Sequence, residues 1–291
     1  MDAFVADFDE RLDRGSGCTI YVAGEAVVDL WGGVADSSTR RPWDPDTTAV
    51  IFSCSKGILA IGAYLLVQEG LLDLDPPIVD YWPRFGQNGK SGITLRQAMS
   101  HRAGLPALDV ALTRDEVLGW DPVIRAIEDQ RPLYPVSEGH AYHAMTYGWL
   151  VGEVTRRVTG SKPGEYFQIA IARRTARSLA RLYGACVSEV DGLLLMSEAS
   201  IEDAISALSQ GPQLSGMPDD GARLGTGFQL SSPPTHPMLG STSFGHAGAG
   251  GQLALADPDG EVSFAYLSGQ MGGYGDGRAR AQTQALAEVV T

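Results

Sequence analysis

Cysteine is scarce in this chain of 291 residues, which contains only Cys18, Cys54 and Cys186. Three thiols cannot all pair, and no two of them have the Cys-x-x-Cys spacing of a metal-binding or redox motif. Because small secreted proteins that depend on disulfides carry regular cysteine frameworks, the sequence argues against that class. A reducing compartment is the simpler interpretation.

Basic residues are also few. The chain has 22 Lys and Arg against 35 Asp and Glu, which gives a formal net charge of -13 at pH 7. Such a surface repels nucleic acids and anionic membranes instead of attracting them. The charge therefore argues against nucleic-acid and membrane partners and fits a neutral small-molecule substrate better.

The sequence lacks the features of a targeting or membrane-spanning segment. Its first ten residues carry acids at Asp2, Asp7, Asp9 and Glu10, whereas a secretory signal peptide begins with basic residues and an apolar stretch. No run is apolar and free of charge for long enough to span a bilayer. We therefore expect a soluble cytoplasmic protein.

What the sequence does contain is a clear alternation of helix and strand signals near its amino end. Apolar side chains recur at helical spacing over residues 4–12. Residues 18–22 and 26–31 are short, rich in β-branched side chains and separated by Gly24, which predicts a β-hairpin. From residue 53 the pattern is helical and broadly apolar until it reaches a glycine stop at residue 70.

The carboxyl-terminal part predicts more strands, and the middle predicts helices. Strand patterns and a closing helix occur at residues 225–230, 251–256, 262–267 and 278–290, with an Asp-Pro-Asp-Gly turn between the last two strands. The clearest helix candidates of the middle region are residues 95–101, 122–129, 146–158 and 175–188. This order predicts an α+β fold in which both chain ends form one antiparallel sheet flanked by helices. We predict a sheet domain of residues 1–70 and 195–291 and a mostly helical inserted domain of residues 71–194.

Ser53 and Lys56 stand three residues apart at the start of the predicted apolar helix. Residues at this spacing lie on one face of a helix, so the lysine amine can reach the serine hydroxyl. A serine hydroxyl becomes a good nucleophile when a base takes its proton, and an amine is such a base once burial lowers its pKa from about 10.4 towards neutrality. The apolar residues on both sides of the pair predict that burial.

The position of Ser53 at the beginning of a helix has a second consequence. The free backbone N–H groups and the positive dipole end of a first helical turn stabilise an oxyanion that forms there. The alternative is an ordinary surface Ser and Lys, because a four-residue pattern with two fixed positions occurs by chance in many chains.

Two neighbouring residues offer rival nucleophiles. Ser55 lies one glycine short of a Gly-x-Ser-x-Gly elbow, but that motif also needs a preceding strand and a downstream acid and histidine in order. Cys54 has apolar neighbours, which keep a thiol protonated and inert. We therefore expect Cys54 to be a buried packing residue, and we favour Ser53 over Ser55 as the nucleophile.

The histidines do not predict a metal site. His140 and His143 have a spacing compatible with a metal pair, but beyond Glu138 no nearby side chain completes a ligand set. His101 is expected to form local hydrogen bonds. We therefore predict no metal and no cofactor.

Several separated segments together resemble a known superfamily. They lie in matching order along most of the chain and comprise residues 28–33 (Val-Asp-Leu-Trp-Gly-Gly), 52–57 (Phe-Ser-Cys-Ser-Lys-Gly), 100–105 (Ser-His-Arg-Ala-Gly-Leu), 142–143 (Tyr-His) and 245–251 (Gly-His-Ala-Gly-Ala-Gly-Gly). With them the chain resembles the serine β-lactamase and penicillin-binding-protein superfamily. It is most similar to the family VIII carboxylesterases, which are class C β-lactamase-like esterases.

The resemblance implies a role for each matching residue. Ser53 would be the acylated nucleophile, Lys56 the base, and Tyr142 the phenol that relays a proton to the leaving oxygen. His246 and Gly248 would stand in the strand motif that lines the substrate site. The backbone N–H groups of Ser53 and Ala249 would form the oxyanion hole.

The departures from the superfamily pattern bear on the substrate. Ala144 replaces the asparagine that β-lactamases often place two residues after the tyrosine, and His246 replaces the strand lysine that helps hold a β-lactam carboxylate. Because a histidine is largely neutral near pH 7, the site lacks a fixed cation. We therefore predict a carboxylesterase that forms an acyl-enzyme at Ser53 with uncharged, short-chain acyl esters.

Two alternatives remain open. One is a β-lactamase or D-amino-acid peptidase, and the other is a non-catalytic acyl-binding or sensor homologue. The second is made conceivable by the stretch between Tyr166 and Ala176, which is much shorter than is usual in the family. Either the protein truly lacks a segment that would cover the acyl pocket there, or a mobile segment is missing from this sequence.

Overall fold

The computed structural model describes residues 1–11, 13–136, 138–166, 175–273 and 275–290. Its strands are β1 (Gly15–Val22), β2 (Glu25–Asp36), β3 (Arg41–Pro42), β4 (Arg223–Leu224), β5 (Gln229–Leu230), β6 (Phe244–Gly248), β7 (Gln252–Asp257) and β8 (Val262–Ser268). Its α-helices are α1 (Asp2–Asp9), α2 (Cys54–Gln68), α3 (Leu95–Met99), α4 (Arg114–Leu118), α5 (Asp121–Asp129), α6 (Tyr147–Thr159), α7 (Pro163–Tyr166), α8 (Ala176–Val187), α9 (Glu198–Ile205) and α10 (Arg278–Val290), with 3-10 helices at Ile78–Asp80 and Pro83–Gly89.

The chain divides into two compact units. The first comprises Met1–Ile58, Ile169–Ile205 and Phe228–Thr291, and the second comprises Leu59–Gln168 and Ser206–Gly227. The first unit contains an antiparallel sheet with the strand order β3-β2-β1-β8-β7-β6-β5. The amino-terminal hairpin therefore pairs with the last strand, which confirms the predicted α+β fold with a sheet built from both chain ends.

Helices cover both faces of this sheet, so β1, β7 and β8 are buried along almost their whole length. On one face Phe4 of α1 and Ala279 of α10 join the core cluster that contains Phe264. On the other face α8 packs against β1, β7 and β8. There the Ser263 hydroxyl donates a hydrogen bond to the Ala180 carbonyl at 2.7 Å. Successive side chains of β8 thus point to opposite faces of the sheet, as expected for a pleated strand.

The structure differs from the sequence prediction in two elements and in the bounds of the two domains. The helix predicted over residues 4–12 ends at Asp9, and Leu12 lies outside the described residues. The single strand predicted over residues 225–230 is wrong, because Gly227 has a φ of +89° that interrupts an extended chain. Residues 176–194, which the sequence assigns to the helical domain, belong to the sheet unit because α8 packs on β8. Residues 59–70 and 206–227, which the sequence assigns to the sheet domain, belong to the second unit.

The second unit is mostly helical. The candidates at residues 95–101, 122–129 and 146–158 correspond to α3, α5 and α6. Thr94 caps α3 through a reciprocal pair of hydrogen bonds with Gln97, and Gly160 ends α6 in the left-handed conformation. These local signals explain why the sequence predicts the helix bounds to within about one turn.

Candidate active site

The chain reaches α2 through a strained residue. Phe52 has a φ of +44°, a conformation that is costly for an aromatic residue and is typical of functional sites. Ser53 follows it and immediately precedes α2. The N–H groups of the next three residues all donate to nearby carbonyl oxygens, as Cys54 to Ile51, Ser55 to Phe52 and Lys56 to Ser53. Within the described ranges no acceptor is bonded to the N–H of Ser53, which is therefore available to an incoming oxygen.

The structure brings Ser53 and Lys56 together. The Lys56 Nζ atom lies 3.0 Å from the Ser53 Oγ atom, as the helical spacing predicts. Lys56 is 5 % exposed, and burial lowers its pKa to about 8. A lysine with this pKa is partly neutral near pH 7 to 8, so its amine is able to accept the serine proton.

Cys54 links the start of α2 to strand β6, which pairs with β5 and β7. Its side chain is fully buried, and the thiol donates a hydrogen bond to the carbonyl of His246 at 3.0 Å. Burial raises the pKa of this thiol to about 12, which keeps it protonated and unreactive. The thiol therefore has a packing role.

The end of β6 lies directly against the start of α2. A Cβ atom on Gly248 would lie 2.5 Å from the carbonyl oxygen of Ile51 and 3.2 Å from the Cys54 sulfur, so only glycine allows this approach. Ala249 begins the turn that follows β6, and its N–H has no hydrogen-bond acceptor in the described part of the chain. The two N–H groups assigned to the oxyanion hole are thus both unoccupied.

A buried arginine holds the turn that contains Ala249. The Arg278 Nη2 atom donates to the carbonyl of Gly250 at 2.8 Å, and Gly272 donates to the same oxygen at 3.1 Å. Arg278 is 4 % exposed, and its charge is balanced by Asp13 at 3.0 Å and Asp276 at 2.7 Å. Sequence reasoning missed Arg278, because its partners Asp13 and Gly250 lie far from it in the sequence.

His246 is an interior residue of β6. It is 1 % exposed, and its Nδ1 atom lies 2.7 Å from the carbonyl oxygen of Ala247, which makes Nδ1 a donor. Burial, together with the charge of Lys56, lowers the pKa of His246 to about 3. The ring is therefore neutral over the working pH range, as the sequence predicts, while its contact with substrate stays a prediction.

Tyr142 belongs to the second unit and is half-buried. Its N–H donates to the side-chain oxygen of Gln213 at 2.9 Å, and its ring lies 4.5 Å from the ring of His101 between centroids. Its role as proton relay stays a prediction. Ala144, two residues further on, is exposed.

The described residues contain no group of three or more His, Cys, Asp and Glu side chains that could hold a metal ion. The three cysteines are free and buried. In the same described ranges, no helix is both long and apolar enough to cross a membrane.

A sequence profile of the family described as Beta-lactamase matches the chain over residues 2–174 and 170–288. The two matches overlap at residues 170–174, inside the stretch between Tyr166 and Ala176 that we expect to be shorter than is usual in the family. The structure of most of that stretch, residues 167–174, lies outside the described residues.

Similarity to known proteins extends over most of the chain. The chain is 28 % identical over 353 aligned positions to "Esterase/beta-lactamase LipL" of Mycobacterium tuberculosis, covering 92 % of this chain and 80 % of the relative. A penicillin-binding protein homologue from Caulobacter crescentus superposes with a TM-score of 0.92 at 28 % identity, covering 99 % of this chain and 96 % of that one. A family VIII carboxylesterase superposes with a TM-score of 0.91 at 26 % identity, covering 100 % and 96 %.

Proposed function

Because the chain belongs to the Beta-lactamase family, we propose that it is a carboxylesterase that cleaves uncharged esters through an acyl-enzyme at Ser53. The observation that carries the proposal is the 3.0 Å contact between the Ser53 hydroxyl and the buried Lys56 amine, whose pKa burial lowers to about 8. A hydroxyl and a partly neutral amine at this distance form a nucleophile and its base.

Acylation begins when Ser53 Oγ attacks the ester carbonyl and Lys56 Nζ takes the hydroxyl proton. The carbonyl oxygen becomes an oxyanion, which the N–H groups of Ser53 and Ala249 stabilise. The bond from the carbonyl carbon to the alcohol oxygen then breaks, and Tyr142 supplies the proton that the leaving alkoxide needs. Tyr142 recovers that proton from Lys56, so the first half-reaction is balanced.

Deacylation repeats these steps with water as the nucleophile. The water oxygen bonds to the acyl carbon, its proton goes to the same base, and the bond to Ser53 Oγ breaks as that oxygen regains a proton. The products are a carboxylic acid and an alcohol, and the enzyme returns to its starting state. No cofactor takes part in this scheme.

We propose that the enzyme prefers esters to β-lactams because β6 supplies no positive charge to the site. A β-lactam antibiotic carries a carboxylate, and a cation in the site would help to bind it. His246 stands in that motif, and burial lowers its pKa to about 3, so it supplies no cation at neutral pH. The likeness to a family VIII carboxylesterase supports the same preference. Free buried cysteines are in keeping with a cytoplasmic site of action.

The second candidate is β-lactam or D-amino-acid peptide hydrolysis by the same Ser53. It is favoured by the likeness to LipL, whose name includes β-lactamase beside esterase, and by the likeness to a penicillin-binding protein homologue. The reaction differs in its leaving group, which is an amine in place of an alcohol.

The test compares p-nitrophenyl butyrate, nitrocefin and a D-alanyl-D-alanine peptide on the wild type, Ser53→Ala and Ser55→Ala. Ser55 is the matched control, because it lies on the same helical turn and its hydroxyl donates to the Phe52 carbonyl at 2.6 Å. We expect ester turnover that Ser53→Ala abolishes and Ser55→Ala retains, with a fluorophosphonate mass increment on Ser53. Faster turnover of nitrocefin or the peptide than of the ester contradicts the preference for esters. Stoichiometric labelling without turnover of any substrate supports a non-catalytic homologue.

A further inference from the structure

Two buried histidines lie at the loop that carries Tyr142. His101 is 3 % exposed and His143 is fully buried, and both belong to the same unit as the tyrosine. We infer that His101 and His143 are positioning residues that hold the Tyr142 phenol for proton donation to the leaving alcohol. The inference rests on the proposed function and assigns these two histidines a part in it.

His101 fixes the backbone on both sides of Tyr142. Its carbonyl oxygen accepts a hydrogen bond from the N–H of Ala141 at 3.1 Å, and its ring Nδ1 atom accepts one from the N–H of His143 at 3.0 Å. Tyr142 lies between these two anchors, and its own N–H donates to Gln213. All three successive N–H groups of the loop are therefore bonded, which leaves the tyrosine backbone little freedom.

The ring of His101 also contacts the phenol ring directly. The two centroids are 4.5 Å apart with the planes tilted by 41°, which is within the range of an attractive aromatic contact. His101 adopts a φ of +64°, a conformation that is unfavourable for a histidine and persists only when the surrounding contacts compensate. The backbone strain at His101 is thus associated with a contact to the tyrosine.

His143 ties the same loop to the segment at Leu105. Its Nδ1 atom donates to the carbonyl of Ala141 at 2.7 Å, and its Nε2 atom accepts a hydrogen bond from the N–H of Leu105 at 3.2 Å. These two bonds require that the His143 ring is neutral and carries its proton on Nδ1. The bond from the His143 N–H to Nδ1 of His101 requires that the His101 ring carries its proton on Nε2. Because these ring nitrogens bond to the backbone, they are not available to a metal ion.

Leaving groups differ in how much they need proton donation, so comparing kcat/KM for two esters separates the role of Tyr142 from a general loss of structure. An ethoxide must be protonated as it leaves, whereas p-nitrophenolate leaves as a stable anion. Ethyl butyrate and p-nitrophenyl butyrate form the same acyl-enzyme, so kcat/KM for the two esters differs only in acylation. A misplaced Tyr142 lowers kcat/KM for the ethyl ester more than for the nitrophenyl ester, whereas partial unfolding lowers both equally.

The variants are Tyr142→Phe as reference, His101→Ala, His101→Asn, His143→Asn and the control His140→Asn. Asparagine at position 101 keeps a side-chain acceptor and tolerates a positive φ, so it separates the backbone anchor from the ring contact. His140 is a buried neighbour on the same loop, and in the described part of the chain its ring makes no ring contact with Tyr142. Active sites are counted with a fluorophosphonate, and rates are expressed per labelled site.

We expect Tyr142→Phe to lower kcat/KM for ethyl butyrate by about 10²–10⁴-fold, in line with the loss of a general acid, and to change the nitrophenyl ester far less. His101→Ala and His143→Asn should each give a selective loss of about tenfold or more, His101→Asn a smaller loss, and His140→Asn none. If His101→Ala does not fold, His101→Asn and His143→Asn carry the same comparison.

Suppose that Tyr142→Phe is selective for the ethyl ester. If the His101 and His143 variants then lose kcat/KM equally for both esters, or lose none, the inference is overturned. If Tyr142→Phe itself is not selective, the proposed role of the tyrosine fails first, and the inference fails with it. A selective loss in His140→Asn as large as in His143→Asn also contradicts the inference, because it would show that any buried histidine of the loop has this effect.

Discussion

Two of the three lysines in the chain are buried, and they differ in what surrounds the amine. Lys90 is fully buried, and its Nζ atom donates to the carbonyls of Gln87 at 2.8 Å, Glu128 at 2.9 Å and Gln130. Lys56 is 5 % exposed, and its Nζ atom lies against the hydroxyl of Ser53. Burial lowers the pKa of both amines.

The difference shows that burial alone does not make a lysine a base. Carbonyl oxygens accept hydrogen bonds and so favour the ammonium form, and the nearby charges of Asp129 and Glu128 favour it as well. Lys90 therefore keeps its proton and binds the carbonyls at the end of α5, as a cation does at a helix carboxyl terminus. At Lys56 the bonded hydroxyl accepts from the ammonium form and donates to the neutral amine, so both protonation states are tolerated.

The largest expected effect is on catalysis at Lys56. Lys56→Met should lower kcat/KM for p-nitrophenyl butyrate by about 10²–10⁴-fold, the usual contribution of a general base. The melting temperature should stay the same or rise, because the buried amine costs stability at neutral pH. The exposed third lysine supplies the control Lys162→Met, which should change neither quantity. Retention of kcat/KM within about fivefold in Lys56→Met would remove the lysine from the mechanism.

At Lys90 the same substitution should act on stability and not on catalysis. Lys90→Met leaves buried carbonyls without their donor, so the free energy of unfolding should fall by about 2–4 kcal/mol. The turnover number per fluorophosphonate-titrated site should be unchanged. Urea unfolding and active-site titration of the same preparations measure both quantities. An unchanged unfolding free energy with a reduced turnover number would reverse the assigned roles of the two lysines.

Sequence reasoning predicted the features that depend on local spacing. Ser53 and Lys56 are three residues apart, so helical geometry alone places their side chains together. The hairpin of β1 and β2 and the strands β7 and β8 also followed from alternation and turn residues close to one another in the chain. The α+β fold class followed from the order of these elements.

Features that depend on distant contacts were not predictable in the same way. The Lys90 amine bonds to the carbonyl of Glu128, which lies 38 residues further along the chain. The ring of His101 accepts a bond from the N–H of His143, which lies 42 residues further along. Arg278 reaches Gly250 across 28 residues. No local pattern predicts the role of Lys90, because the carbonyl oxygens of Glu128 and Gln130 reach its amine only in the folded chain. The assignment of α8 to the helical domain failed for the same reason, since its helical pattern does not reveal that it packs on β8.

The central claim is that Lys56 is the base that activates Ser53, and the rate at which a fluorophosphonate labels Ser53 tests it most directly. Only the neutral amine accepts a proton, so the rate in the wild type should rise about tenfold per pH unit below the Lys56 pKa of about 8 and level off above it. In Lys56→Met the labelling should be slow and should lose this inflection, whereas Lys162→Met should keep it. An inflection near pH 8 that persists in Lys56→Met would contradict the account.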